Sequence, residues 1–114
     1  MISSKKAAIQ AYKERKTPRG IFAVRCQATG GVWVDSAMDL GAAENRTWAS
    51  LRLGDAQLDP VLAAQFREHG RDVFTFEVLE KLDDDVADIA LRDVLKEKKL
   101  SWRARLEAQK FYRG

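Results

Sequence analysis

The fold of this chain can be worked out from residues 20–54, which read GIFAVRCQATGGVWVDSAMDLGAAENRTWASLRLG. Two short runs of β-branched and aromatic residues, Ile21–Cys26 and Val32–Ser36, flank a Gly-Gly pair. This pattern is typical of a β-hairpin. A segment of helical composition follows from Gly41 to Leu53, and Gly54 is a natural helix stop.

The first strand of the hairpin is apolar on both faces. Phe22, Val24 and Cys26 share one face, whereas Ile21 and Ala23 share the other, because side chains alternate along a strand. We therefore predict a central strand that is covered on two sides. Cys26 is the only cysteine, so it forms no internal disulfide, and we expect it to be a small buried residue.

The rest of the chain adds helices and one more strand. The pattern predicts a basic first helix over residues 5–16, a helix that begins at Asp59-Pro60 and ends before Gly70, a strand over residues 73–79, and a last helix from Asp85 onward. The fold class that follows is α+β: a small, three-stranded, mostly antiparallel sheet flanked by helices, with an N-terminal helix and a long C-terminal helix. Residues 1–16, 17–97 and 98–114 are interpreted as a basic N-terminal helix, a central domain and a basic helical extension of one compact unit.

Charge is distributed unevenly over the 114 residues, whose net charge is +3. Residues 1–20 and 96–114 each carry +5, and the middle carries −7. Basic ends are a frequent sign of contact with nucleic acid, although they also occur as ordinary solvated helix faces, and both interpretations stay open. The candidate contact residues are Lys5, Lys6, Lys13, Arg15, Lys16, Arg46, Lys98, Lys99 and Arg103.

The sequence shows no apolar run near the roughly 18 residues that a membrane-spanning helix needs. Lys5 and Lys6 are not followed by the apolar segment of a signal peptide. We expect a cytoplasmic protein without a membrane partner.

The hairpin and the following helix resemble the GIY-YIG nuclease superfamily. Gly20-Ile21-Phe22 stands where that family has Gly-Ile-Tyr, and Trp33-Val34-Asp35 stands where it has Tyr-Ile-Gly. Residues 70–80, GRDVFTFEVLE, look like the family's third strand. The resemblance covers roughly residues 17–97 and implies the family's topology.

The resemblance also implies where the chemistry should lie, and the usual residues are replaced there. In the family a tyrosine of each triplet, a helix arginine and a metal-holding glutamate act on the phosphodiester. The tyrosine positions fall on Phe22 and Trp33, the arginine position falls on Ala43, and the glutamate position lies near Asp93. Arg46 is about 60° around the helix from Ala43 and is our candidate phosphate clamp.

Phe22, Trp33 and Arg46 are therefore the candidate catalytic positions. Asp93 is the candidate ligand for the one divalent cation, Mg²⁺ or Mn²⁺, that an active member would use. Asp35, in place of the second glycine, adds negative charge beside the expected phosphate path.

Two further residues have more than one interpretation. Tyr12 either packs the first helix on the domain or supplies a phenol from outside the motif. His69, the only histidine, precedes Gly70 and is interpreted as a capping residue rather than a base.

The expected function is that of a divergent member of this superfamily whose endonuclease activity is weak or lost. We expect it to bind nucleic acid, and DNA is the expected type. One alternative is an active metal-dependent nuclease that uses Arg46 and Asp93. The other is a protein-interaction module that docks an acidic partner. The acidic run over residues 83–85 is either a cation site or a helix N-terminus.

Overall fold

A computed structural model describes residues 17–83 and 85–112 of the chain. The elements are β1 (Gly20–Cys26), β2 (Val32–Ala37), α1 (Leu40–Leu53), α2 (Pro60–His69), β3 (Phe74–Lys81), α3 (Asp88–Leu106) and β4 (Gln109–Lys110). The predicted N-terminal helix lies outside the described residues. Within them, none of the helices combines the length and apolar character needed to cross a membrane.

Among the described residues, the sheet has four strands in the order β3-β1-β2-β4. β1 pairs antiparallel with β2 and β3, and β4 pairs parallel with β2. The α+β class and the mostly antiparallel pairing are confirmed, whereas the predicted number of three strands is wrong, because a short fourth strand joins the sheet. The fourth strand has only two residues, Gln109 and Lys110, both polar and exposed, so it carries none of the alternation that marks a strand in sequence.

β1 is central, as its two apolar faces predicted, and it separates two cores. The first core lies between the sheet and helices α1 and α2; it contains Phe22, Val24, Cys26, Trp33, Leu40, Ala43, Leu51, Leu58, Leu62, Phe74 and Phe111. The second core lies between the sheet and α3; it contains Ile21, Ala23, Val34, Leu82, Leu91 and Leu95. Burial of apolar surface on both faces stabilises the three-layer arrangement.

The two helices after the hairpin begin at aspartate caps. The Asp39 carboxylate accepts a hydrogen bond from the backbone N–H of Ala42 at the start of α1. Asp59 accepts one from the backbone N–H of Leu62 at the start of α2, at 3.1 Å. The same carboxylate oxygen also accepts the indole N–H of Trp33 at 3.0 Å, so the cap of α2 fixes a core ring as well.

Helix α3 and the residues after it differ from the predicted extension. α3 begins at Asp88 instead of Asp85 and continues without a break past residue 98 to Leu106. The C-terminal tail, residues 107–112, then turns at Glu107, which has a left-handed φ of 52°. It ends in the first core, where Phe111 is fully buried. The tail therefore runs along the β2 edge of the sheet from the second core to the first.

Gly20 lies where the backbones of β1 and β3 approach closely. A Cβ added at Gly20 would stand 1.9 Å from the carbonyl oxygen of Glu80, a backbone atom that cannot move aside cheaply. We predict that Gly20→Ala lowers the free energy of unfolding by about 1–3 kcal/mol, because the overlap must be relieved by shifting a strand. Urea denaturation measures the change.

A matched control for Gly20→Ala is Gly41→Ala on α1. The nearest atom to a Cβ at Gly41 is 3.6 Å away, and alanine is the better helix former, so this variant should be neutral or slightly more stable. Equal denaturation midpoints for the two variants would contradict the close approach at Gly20.

Candidate functional site

A groove of about 670 Å³ lies between α3 and the end of β2, and we call it the basic groove. Arg92, Lys96, Lys99 and Arg103 line its α3 wall. Their spacing of four, three and four residues places them in one stripe along the helix. Lys110 joins them from β4. These five cations face two carboxylates in the lining, Asp35 and Asp88, so the groove keeps a net positive charge that attracts polyanions.

The Asp35 carboxylate lies inside this groove and engages two of its cations. One carboxylate oxygen is 3.6 Å from Lys99 Nζ and 3.8 Å from an Arg103 guanidinium nitrogen. Arg103 also donates from Nε to the carbonyl oxygen of Val34 at 3.0 Å. Burial lowers the pKa of Arg103, whereas Asp35 raises it. Arg92 and Lys96, in contrast, have no ion pair within the described part of the chain and are exposed to solvent.

A tyrosine that the sequence did not single out lines the groove as well. Tyr112 lines the groove from the C-terminal tail. It forms an antiparallel β-bridge with Leu58, and its ring packs edge-on against the buried ring of Phe111, with the ring centroids 4.7 Å apart. Burial and then the Asp35 charge raise the pKa of the Tyr112 phenol, whereas Arg46 and Ser50 lower it. The phenol thus lies beside the predicted clamp Arg46.

Lys98, in contrast, does not line the groove. Its Nζ donates to a Glu80 carboxylate oxygen at 2.6 Å, and the Trp102 indole donates to the other oxygen at 2.9 Å. These two hydrogen bonds, the Lys98 one foremost, hold the pKa of Glu80 below its usual range. Of the three C-terminal candidates, the structure thus brings Lys99 and Arg103 together and ties Lys98 to β3. The five N-terminal candidates, Lys5, Lys6, Lys13, Arg15 and Lys16, lie outside the described residues.

Solved structures share this architecture. The catalytic domain of the intron endonuclease I-TevI, in a glutamate-to-alanine mutant, aligns with a TM-score of 0.67 and 22% identity, over 83% of this chain and 92% of that one. The catalytic domain of the homing endonuclease I-TevI aligns with a TM-score of 0.64 and 26% identity, over 78% and 88%. This chain therefore has the fold of the GIY-YIG superfamily. No family model and no curated sequence matches the chain.

The two GIY-YIG tyrosine positions are core positions here. Phe22 is 3% exposed and stacks on Phe76 with ring centroids 4.8 Å apart, and Trp33 is 1% exposed. The prediction that at least one of these rings is buried on adjacent strands is confirmed for both. A phenyl ring has no ionisable oxygen and an indole only donates, so neither ring can take up a proton.

The helix positions of the GIY-YIG arginine and of the histidine that often follows it are also buried. Ala43 is 5% exposed and Thr47 is 2% exposed, and both face the sheet side of α1. Arg46 is exposed, and it lies close enough to Tyr112 to affect the pKa of the phenol. The guanidinium is therefore free to meet an anion beside the groove.

The position of the metal-holding glutamate falls on a single exposed carboxylate. Asp93 lies on α3, and within the described residues no three His, Cys, Asp or Glu side chains come together as a possible metal site. Mg²⁺ is usually held by one or two carboxylates together with water and substrate oxygens, so a single aspartate is the minimum of such a ligand set. Asp93 would hold the divalent cation that the family implies only together with water or substrate oxygens.

Proposed function

We propose that this chain is a nucleic-acid-binding domain built on the GIY-YIG fold, with phosphodiester cleavage weak or lost. The observation that carries the proposal is the basic groove, in which five cations line one concave surface. Because phosphates supply most of the affinity in nucleic-acid binding, such a surface is what a non-specific binder needs. The endonuclease names of the neighbouring structures support nucleic acid as the partner, and DNA is the first class to test.

Phosphodiester hydrolysis needs a positioned general base and a donor that stabilises the developing negative charge. Without a positioned general base a reaction typically slows 10²- to 10⁴-fold, and without a charge-stabilising donor about 10²- to 10³-fold. Tyr112 is a poor replacement for the base, since burial raises the pKa of its phenol and disfavours the deprotonated form. It can donate a hydrogen bond to a phosphate oxygen, as can Arg46, and this serves binding.

We predict no efficient cleavage of supercoiled plasmid in the presence of Mg²⁺ or Mn²⁺. The physical reason is the missing base, because neither Phe22 nor Trp33 can take up a proton. A nicking assay with the natural chain, Arg46→Ala and Asp93→Ala measures this. Robust nicking that disappears in both variants would overturn the prediction and favour the rebuilt nuclease. Nicking that neither substitution affects would come from a contaminant.

A second prediction concerns the carboxylate within the groove. We expect Asp35→Asn to tighten nucleic-acid binding and to steepen the slope of log affinity against log salt by about 1–2, because Lys99 and Arg103 become available to phosphates. Asp59→Asn does not serve as a control, since Asp59 caps a helix. The matched control is Asp72→Asn, which removes the same charge at an exposed site away from the groove.

Asp72→Asn should raise affinity by far less than Asp35→Asn. If the two substitutions raise the affinity equally, binding depends on net charge alone and the groove has no special role. If the chain binds neither duplex nor single strand even at low salt, nucleic acid is the wrong partner and the protein-interaction module is favoured.

A further inference from the structure

Apolar and aromatic side chains lie among the cations of the basic groove. Met38 and Leu100 line it and are 60% and 52% exposed. Leu100 follows Lys96 by four residues and precedes Arg103 by three, so it belongs to the same wall of α3. Tyr112 adds a half-buried ring. Single exposed apolar residues are ordinary on a protein surface, but here they converge on one concave and strongly basic site.

The dimensions of the groove limit what can meet these side chains. Arg103 follows Arg92 by eleven positions, so the basic wall of α3 is about 16 Å long. A duplex keeps its base faces inside its own stack and presents phosphates and sugars to a protein wall. Met38 and Leu100 would then lose solvent contact against charged groups and gain no apolar partner.

A single strand offers both kinds of partner at once. Its phosphates suit the lysines and arginines, and its unpaired bases present flat apolar faces. Proteins that bind single strands combine a positive groove with side chains on which bases stack, and an aromatic contact contributes roughly 5- to 150-fold in affinity per base. The ring of Tyr112 packs against Phe111, so it loses little conformational entropy when a base stacks on it.

We propose that the basic groove binds single-stranded nucleic acid, with the cations of α3 on the phosphates and Met38, Leu100 and Tyr112 against the bases. This inference rests on the proposed nucleic-acid binding and names its substrate class.

The test is fluorescence anisotropy with the full chain at roughly 0.1 M salt. The probes are oligo-dT and oligo-rU of about 12 nucleotides and a DNA duplex of the same length. We expect each single strand to bind at least about tenfold more tightly than the duplex. Phosphate contacts from the three groove cations that Asp35 does not engage, Arg92, Lys96 and Lys110, predict a salt slope of about −2 on single strands. A preference for either sugar supports the proposal and identifies the nucleic acid.

The variant that tests the apolar contacts is Met38→Ala with Leu100→Ala. It should weaken binding to single strands about fivefold or more and leave duplex binding unchanged. The matched control is Leu53→Ala with Ile89→Ala, which removes two apolar side chains that are 78% and 93% exposed outside the groove. The control should leave all affinities unchanged.

The outcomes separate this inference from the proposed function. Duplex binding as tight as single-strand binding would overturn the single-strand proposal and leave nucleic-acid binding standing. An equal loss on both probes in the Met38 and Leu100 variant would overturn it as well. No binding to any probe at low salt would overturn both proposals together.

Discussion

Alanine at both Arg92 and Lys96 is expected to lower nucleic-acid affinity by roughly 25- to 60-fold at about 0.1 M salt, the lower figure for a single strand and the higher for a duplex. Each phosphate contact releases a counterion, and that release is the main source of affinity. Arg92 and Lys96 are the cations on which the prediction depends, because both are exposed and neither is paired within the described residues.

The same variant should flatten the slope of log affinity against log salt by about 1.4–1.8, because two contacts are lost. Anisotropy titrations at several salt concentrations measure both quantities. The matched control is Arg52→Ala with Arg67→Ala, which makes the same change in net charge at a recess between α1 and α2. A comparable loss of affinity in the control would show that binding follows net charge, with no role for the groove.

Most of the fold was predictable because local sequence patterns determine its strands and helices. The two apolar faces of β1 predicted a central strand, and the Asp59-Pro60 pair and Gly54 predicted a helix start and a helix end that the structure confirms. The start of α3 was misjudged by three residues, since Asp85 has the composition of a helix start but the helix begins at Asp88.

The C-terminal tail was not predictable from its own residues. Gln109 and Lys110 are exposed and polar, and they form a strand only because β2 offers a free edge and Phe111 finds a place in the first core. These contacts join residues about 75 to 90 positions apart. A local pattern contains no information about such a pairing, and Tyr112 was missed for the same reason.

The groove was predictable in part. Charge counting found Lys99 and Arg103, and the four- and three-residue spacing of helical faces would have added Lys96 and Arg92. The same geometry excludes Lys98 from the groove, because Lys98 is about 100° around the helix from Lys99 and donates a hydrogen bond to Glu80. Clusters of basic residues therefore need to be divided by helix face before they are assigned to one surface.

Phe111→Ala is expected to lower the free energy of unfolding by about 3–5 kcal/mol, the usual cost of emptying a fully buried phenylalanine site. Phe111 is 0% exposed, packs edge-on against Phe22 at 6.0 Å, and its carbonyl oxygen accepts the backbone N–H of Asp59. A chain of this length is stable by roughly 6–17 kcal/mol, so the loss is a large fraction of the total. Urea and thermal denaturation followed by circular dichroism measure it.

Two controls separate loss of packing at Phe111 from a general effect of substitution. Phe111→Leu keeps most of the volume and should cost less than about 1.5 kcal/mol, and Ile89→Ala, at a residue 93% exposed, should stay within about 0.5 kcal/mol of the natural chain. A loss below about 1 kcal/mol for Phe111→Ala would mean that the tail is an appendage whose removal the domain tolerates. The expected loss would instead make the tail a structural part of the domain. Because the tail also carries Tyr112 and Lys110 to the groove, the stability of the fold and the shape of the binding surface would then depend on the same buried ring.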